Sequence, residues 1–202
     1  MARSSIRSLL FESGMAVRVI NLITLYRIVT FPLLILFVII GELDVFKWLL
    51  LASFITDAID GFLARAFNAT SILGAKLDSI GDDLTILAAV IALFVVEFDF
   101  IREELPLILI LFGLFLIQLV FSIIRYKKIS SFHTYLAKTA AVVTAIFLLS
   151  IFFFEQIFYP LFYAAFIVTS LELIEEIIIV FVLPKWKANV KGLYWVLKEN
   201  TA

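Results

Sequence analysis

Six long apolar stretches constrain this chain more than any other feature of its sequence. Each has close to the ~20 residues that an α-helix needs to cross a hydrocarbon core of ~30 Å. Because a lipid core contains no water to satisfy free backbone groups, continuous apolar stretches of this length are typical of membrane helices. The sequence therefore predicts an all-α integral membrane protein with six transmembrane helices. We place these helices at about 22–41, 46–65, 77–96, 105–124, 138–154 and 157–180.

The composition supports this fold class. Hydrophobic residues make up 64% of the 202 residues, and the mean hydropathy is +1.15. Soluble proteins are roughly 45–50% apolar. We predict a single membrane domain over 1–202, with an interfacial helix over 1–20, six spans within 22–183 and an interfacial tail over 184–202. Cysteine is absent, which excludes disulfides and thiolate chemistry, and the formal net charge of -1 gives no indication of nucleic-acid binding.

Both ends of the chain have residue patterns typical of segments that lie on the membrane surface. At the N-terminus, Arg3, Arg7 and Arg18 surround an apolar set, a pattern typical of a helix that lies on the membrane. The C-terminal tail mixes lysines with aromatic residues such as Trp186 and Trp195, which are typical interfacial anchors.

Basic residues are distributed strongly toward one side of the membrane. If the N-terminus is cytoplasmic, every Lys and Arg except Lys47 and Arg102 falls on the cytoplasmic side of the predicted spans. This bias follows the positive-inside rule for an even number of crossings. We therefore expect a multi-pass protein with both termini in the cytoplasm, and in the inner membrane if the source is a bacterium.

Four aspartates interrupt the second and third apolar stretches, where an unpaired carboxylate is costly. Asp57 and Asp60 have the spacing i,i+3, and Asp78 and Asp82 have the spacing i,i+4, so each pair projects from one face of its helix. With a helical rise of ~1.5 Å per residue, both pairs reach one level near the cytoplasmic ends of two antiparallel helices. The sequence predicts a cluster of four carboxylates.

Such a cluster requires positive charge, because neighbouring carboxylates repel one another. One or two divalent cations would provide it, and oxygen ligands favour Mg²⁺ or Mn²⁺. Arg65 and Lys76 could neutralise part of the charge, but two bases cannot balance four acids. The alternative interpretation is that the aspartates are ordinary polar residues at the ends of spans.

Small residues and one arginine accompany the aspartates. Gly61 and Gly74 leave room for a bulky ligand near the backbone, although small residues also allow membrane helices to pack closely. Arg65 could present a forked donor to a phosphate, or it could simply anchor the helix at the cytoplasmic surface. Together with a metal site, these residues indicate a site for a pyrophosphate.

The stretch DAIDGFLARAFNATSILGAKLDSIGD, at 57–82, resembles a known signature, D-x2-D-G-x2-A-R-x8-G-x3-D-x3-D. This signature is found in the CDP-alcohol phosphatidyltransferases, and the chain matches it without departure. The matching residues are Asp57, Asp60, Gly61, Ala64, Arg65, Gly74, Asp78 and Asp82.

The resemblance implies a specific reaction. A CDP-alcohol, usually CDP-diacylglycerol, would donate its phosphatidyl group to an acceptor hydroxyl, and CMP would leave. The resemblance also implies a homodimer, and a general base at Asp82. The implied metal ligands are Asp57, Asp60, Asp78 and Asp82, and the implied nucleotide-binding residues are Asp57, Gly61, Ala64, Arg65 and Gly74.

The acceptor is indicated less directly. The loop from Arg125 to Lys138 is rich in basic residues and includes His133, which suggests a pocket for a phosphorylated acceptor. Positive-inside bias or contact with anionic lipids would explain the same charges, and a lone loop histidine is commonly just solvated. We take Arg125, Lys138 and His133 as candidate acceptor-binding residues.

Two short segments resemble the phosphatidylglycerophosphate synthases: NLITLYRIVTFP in the first span and the pair Lys138-Thr139. Glycerol 3-phosphate is therefore the expected acceptor, with inositol phosphate, serine or another alcohol as alternatives. An ion-coupled transporter is the competing class, because it too places acids in membrane spans. The sequence shows no internal repeat of the kind common in transporters.

Further charged residues lie within predicted spans. Arg27, in the first span, must face protein or water rather than lipid. Glu172, Glu175 and Glu176 share one face of the last span, and their possible partners are Arg27, Arg125 or Lys138. We favour structural pairing for these glutamates over a role in acceptor binding.

Overall fold

The computed structural model describes residues 13–66, 72–128, 132, 134–187 and 190–200, with side chains described for 25–59, 80–128, 132, 134–187 and 190–198. The predicted interfacial helix over 1–20 thus falls largely outside the described residues. The described part of the chain contains helices and no β-strand, which confirms the all-α fold. Its helices are α1 (Ser13–Ile39), α2 (Leu43–Ala66), α3 (Ile72–Val96), α4 (Phe98–Glu103), α5 (Leu105–Tyr126), α6 (Tyr135–Phe154), α7 (Tyr159–Val182) and α8 (Leu193–Asn200).

Each predicted apolar stretch is covered by one long helix, but the helices differ in how well they suit a membrane. Among the described residues, α5 and α6 are long and apolar enough to cross a bilayer, and Leu25–Ile39 forms a shorter apolar segment of α1. The other long helices carry more charged residues, such as Asp44 and Asp57 in α2. The number of crossings, six in our prediction, therefore stays a prediction.

The chain divides into two compact units, an N-terminal unit over 1–96 and a C-terminal unit over 97–202. In the N-terminal unit, α1 packs against both α2 and α3. A tight turn with Gly41 in the left-handed region (φ 77°) joins α1 to α2, so these two helices run antiparallel. The core of this unit contains large apolar residues from α1 and α2 and small ones from α3, namely Leu34, Val38, Phe46, Leu50, Ala88, Ala89 and Ala92.

In the C-terminal unit, α7 is the central helix and packs against α5, α6 and α8. Aromatic rings fill one end of this bundle. Phe100 packs edge-on against Phe162, with ring centroids 5.0 Å apart, and Phe147 lies 5.4 Å from Phe162. Such contacts contribute about 0.5–1.5 kcal/mol each beyond simple burial.

The same end of the C-terminal unit is acidic. The hydroxyl of Tyr159 donates to Glu103 at 3.1 Å, and that of Tyr163 donates to Glu104 at 2.8 Å. These bonds join the two residues that precede α5 to the first two turns of α7. We call this end the acidic end.

The opposite end, which we call the basic end, joins the C-termini of α5 and α7. The guanidinium of Arg125 and the hydroxyl of Tyr126 donate to the carbonyl oxygen of Leu183, at 3.2 Å and 2.7 Å. Lys128 places its Nζ 4.6 Å from the ring centroid of Trp186. This separation of charge along the bundle agrees with the distribution that the sequence predicts, whereas the side of the membrane on which each end lies stays a prediction.

Candidate active site

Arg27 connects the three long helices of the N-terminal unit. Its side chain is fully buried on α1, and its Nη1 lies 2.8 Å from Oδ1 of Asp57 on α2. The same nitrogen also bonds to Oδ1 of Asp82 on α3. Two aspartates of the signature, from different helices, therefore converge on one atom.

The arginine and the two carboxylates differ in their access to solvent. The Arg27 side chain has no exposed surface, whereas the side chains of Asp57 and Asp82 keep 42% and 41% of theirs. Burying a guanidinium without a partner would be costly, and the two carboxylates offset that cost. The carboxylates themselves stay accessible to ions and ligands.

Gly81 provides the space that the guanidinium occupies. A Cβ atom at this position would lie 3.3 Å from Cζ of Arg27 and 3.4 Å from Nε, which is closer than nearly all real contacts of a Cβ. Gly81 directly precedes Asp82 and lies at a variable position of the signature. The absence of a side chain there allows α1 and α3 to approach closely enough for the ion pair.

The remaining signature residues lie on helices, but their side chains are outside the described part of the structure. Asp60, Gly61, Ala64 and Arg65 belong to α2, and Gly74 and Asp78 belong to α3. The predicted cluster of four carboxylates is thus described only at Asp57 and Asp82. Among the described residues, no group of three or more His, Cys, Asp or Glu side chains could hold a metal ion.

The two described carboxylates nevertheless suit a divalent cation. Their oxygens meet at one position, and carboxylate oxygens are the ligands that Mg²⁺ and Mn²⁺ prefer. Asp57 and Asp82 would hold such an ion together with any further ligands from Asp60 and Asp78, which stay predicted ligands.

Arg27 is the site residue whose role the sequence did not reveal. The expectation that it faces protein rather than lipid is confirmed by its burial. The sequence associated Arg27 with the glutamates of the last span, and the structure places it on Asp57 and Asp82. The sequence does contain an indication of this pairing. A buried arginine in an apolar helix needs acidic partners at its own depth, and the aspartates of the signature lie at that depth.

Two of the three glutamates of α7, Glu175 and Glu176, accept hydrogen bonds from neutral donors. Glu176 is buried, and its Oε2 accepts from Nε2 of Gln118 at 2.6 Å. Glu175 accepts through Oε1 from the backbone N–H of Leu193, at 2.9 Å, and Glu172 is partly buried. These bonds join α7 to α5 and to the start of α8, which supports a structural role for Glu175 and Glu176, with neutral donors in place of the expected Arg27, Arg125 or Lys138.

The candidate acceptor-binding residues belong to the basic end of the C-terminal unit. Arg125 is exposed and donates from Nε and Nη2 to the carbonyl of Leu183. Lys138 is exposed in the first turn of α6, with its Nζ 5.5 Å from the ring centroid of Tyr135. His133 lies outside the described residues.

Comparison with known proteins defines the class. The family model for CDP-alcohol phosphatidyltransferase matches residues 18–182, which includes the signature, Arg27 and most of both units. The chain therefore belongs to the CDP-alcohol phosphatidyltransferase family, whose members are transferases of phospholipid synthesis that act on a CDP-alcohol. Together with the two apolar helices α5 and α6, membership of this family indicates a membrane protein. No solved structure matches the chain.

Proposed function

We propose that this protein transfers a phosphatidyl group from CDP-diacylglycerol to an alcohol and releases CMP. The family match supports the class of reaction. Within the matched region, the observation that carries the proposal is the convergence of Asp57 and Asp82 on one nitrogen. Two accessible carboxylates from different helices, aimed at one position, suit a reaction that handles a pyrophosphate with a divalent cation.

The signature residues would divide the binding of the donor. A bound Mg²⁺ or Mn²⁺ pair would neutralise the negative charge of the pyrophosphate and of the departing CMP. Gly61, Ala64 and Gly74 would leave room for the cytidine nucleotide, and Arg65 would donate to a phosphate. The proposed metal ligands are Asp57, Asp60, Asp78 and Asp82, of which Asp57 also borders the nucleotide.

Asp82 would serve as the general base. Its carboxylate would accept the proton of the acceptor hydroxyl while the hydroxyl oxygen attacks the phosphorus of the phosphatidyl group. The bond from that phosphorus to the bridging oxygen would break, and its electron pair would leave with CMP. Proton transfer requires hydrogen-bond reach to the acceptor, and the partly exposed side chain of Asp82 permits this.

Glycerol 3-phosphate is the acceptor that we propose, with inositol phosphate, serine or another alcohol as the alternatives. The exposed cations of the basic end, Arg125 and Lys138, support a phosphorylated acceptor, and His133 would join them. We further propose that the enzyme works as a homodimer and that its active site faces the cytoplasm, as the distribution of basic residues favours.

Measurement of CMP release tests the reaction and identifies the acceptor. Purified protein in detergent is stripped of metal with a chelator and given CDP-diacylglycerol, Mg²⁺ or Mn²⁺, and one alcohol at a time. We expect CMP only when both metal and an acceptor are present, with the highest rate for glycerol 3-phosphate. A higher rate with serine or inositol phosphate would replace the proposed acceptor, and no CMP with any alcohol would contradict the proposed transfer.

A substitution at the basic end tests the acceptor site separately. Arg125→Gln should raise KM for glycerol 3-phosphate without changing KM for CDP-diacylglycerol, because it removes a cation from the acceptor side only. Lys128→Gln, which removes a neighbouring cation that lies over Trp186, is the matched control. Equal effects of the two variants on KM would indicate a general effect of surface charge rather than a pocket.

A further inference from the structure

We propose that Arg27 is an internal counter-cation of the metal site, which holds Asp57 and Asp82 in the metal-free protein and releases them to the divalent ion. This inference rests on the proposed function, because it assigns a competitor to the same metal. Arg27 would act as a positioning residue rather than a catalytic one, since it acts through the two carboxylates.

The geometry makes the guanidinium and a metal ion alternatives. Nη1 of Arg27 bonds to the Oδ1 atoms of both aspartates, so it occupies the position from which both can be reached at once. A divalent ion that took the same two oxygens as ligands would need that position. Two cations could not share it, so the guanidinium would have to move when such an ion bound.

The metal-free site needs a positive charge, and the buried Arg27 side chain provides it. Without it, Asp57 and Asp82 would face each other as like charges whenever metal is absent. The buried Arg27 side chain, packed where Gly81 leaves space, prevents this repulsion and keeps the carboxylates in register across α2 and α3. The site is thus preorganised before a metal arrives.

Competition between Arg27 and a metal ion predicts the direction in which stability and metal affinity should change. If pairing with Arg27 and binding of metal exclude each other, loss of the guanidinium destabilises the metal-free protein and tightens metal binding. Coupling between two binding events in a protein typically changes an affinity by a factor of 5–150, and by analogy we expect a change on the order of tenfold here. A purely supporting role for Arg27 would produce the opposite shift, because the carboxylates would then lose their orientation.

Thermal unfolding in detergent, measured across a titration with Mn²⁺ and without donor or acceptor, tests the inference. We expect Arg27→Gln to unfold at a lower temperature than wild type without metal and to gain more from Mn²⁺. The concentration of Mn²⁺ that gives half of the stabilisation should fall on the order of tenfold. Lys47→Gln is the matched control, because it removes a cation of the same unit that pairs with Asp44 at 2.5 Å, and it should leave this concentration unchanged.

A second variant keeps the inference open to refutation if Arg27→Gln does not fold. Arg27→Lys keeps the charge but replaces the forked guanidinium with a single ammonium group, which should hold two carboxylates less firmly. Its half-saturating concentration of Mn²⁺ should lie between those of wild type and Arg27→Gln, or simply below that of wild type. A value equal to or above that of wild type, in either variant that folds, would overturn the inference.

Release of CMP by the same wild-type preparation separates this inference from the proposed function. Metal-dependent release of CMP combined with an unchanged response to Mn²⁺ in the Arg27 variants would overturn the counter-cation alone. The expected shift in the Arg27 variants, combined with no CMP from any alcohol, would support the counter-cation and contradict the phosphatidyl transfer.

Discussion

The two units of the molecule both place acidic side chains on apolar helices, but these side chains differ in their partners and in their exposure to solvent. In the N-terminal unit, Asp57 and Asp82 share a fully buried guanidinium and keep 42% and 41% of their side-chain surface exposed. In the C-terminal unit, Glu176 is only 8% exposed and accepts from the amide of Gln118, which is 4% exposed.

In the function that we propose, this difference separates a site for chemistry from a structural contact. Accessible carboxylates paired with a cation can exchange that cation for another one, and they can reach a substrate. A carboxylate enclosed with a neutral amide can do neither without breaking the packing between α5 and α7. We therefore propose that charge and access together, rather than the presence of an acid in an apolar helix, distinguish the functional acidic residues of this protein from the structural ones.

The largest expected effect tests the chemical side of this comparison. Asp82→Asn removes the proposed base and should lower the rate of CMP release per folded molecule by about 10²–10⁴-fold at saturating metal. Because the variant also removes one charged partner of the buried Arg27, it should unfold at a lower temperature than wild type. Asp83→Asn is the matched control, because Asp83 is the next residue on α3 and points elsewhere on the helix. Normal activity of Asp82→Asn would refute the assignment of the base.

The structural side is tested at Glu176. Glu176→Ala leaves the buried amide of Gln118 without this acceptor and should reduce the free energy of unfolding by about 1–2 kcal/mol. Glu176→Gln retains an acceptor oxygen and should cost less. Both are measured by unfolding in detergent, with CMP release per folded molecule as the second readout. If folded Glu176→Gln lost most of its activity, the glutamate would belong with the chemistry instead.

The smallest effect concerns two glycines in the middle of helices. Gly81→Ala introduces a Cβ atom 3.3 Å from Cζ of Arg27, whereas a Cβ at Gly113 would meet no atom within 4 Å. Alanine favours a helix over glycine by about 0.8–1 kcal/mol, so Gly113→Ala should be neutral or slightly stabilising. Crowding at Arg27 should make Gly81→Ala less stable than Gly113→Ala by about 1 kcal/mol in metal-free protein. Equal stabilities would mean that Gly81 is not needed for the ion pair.

Much of the fold could be predicted from the apolar stretches, and the error at the start of α3 has a physical cause. The prediction for 105–124 matches α5 (Leu105–Tyr126) closely, but α3 begins at Ile72, five residues before the expected start at 77. Hydropathy marks the part of a helix that suits lipid, whereas backbone hydrogen bonds continue through polar residues such as Lys76. The α3 helix is therefore longer than its apolar part.

The candidate site could be located from the sequence but not completed. Spacing and charge brought Asp57 and Asp82 to one level, and the structure joins them through Arg27. The choice of Arg27 as their partner depends on how α1 packs against α2 and α3, which no local pattern encodes. The bond from Gln118 to Glu176 could not be predicted for another reason. A neutral residue in an apolar stretch carries no charge that would indicate a partner, although a polar group in a membrane span commonly bonds to a neighbouring helix.

Binding of Mn²⁺ tests the central claim most directly, because it asks which carboxylates of the protein hold a metal. Free Mn²⁺ is measured by its electron paramagnetic resonance signal during titration of metal-stripped wild type, Asp82→Asn and Glu176→Gln. We predict that wild type and Glu176→Gln bind Mn²⁺ equally and that Asp82→Asn binds it at least about tenfold more weakly, since the ion loses a charged oxygen ligand. Undiminished binding by Asp82→Asn, or loss of binding by Glu176→Gln, would contradict the division between the two units.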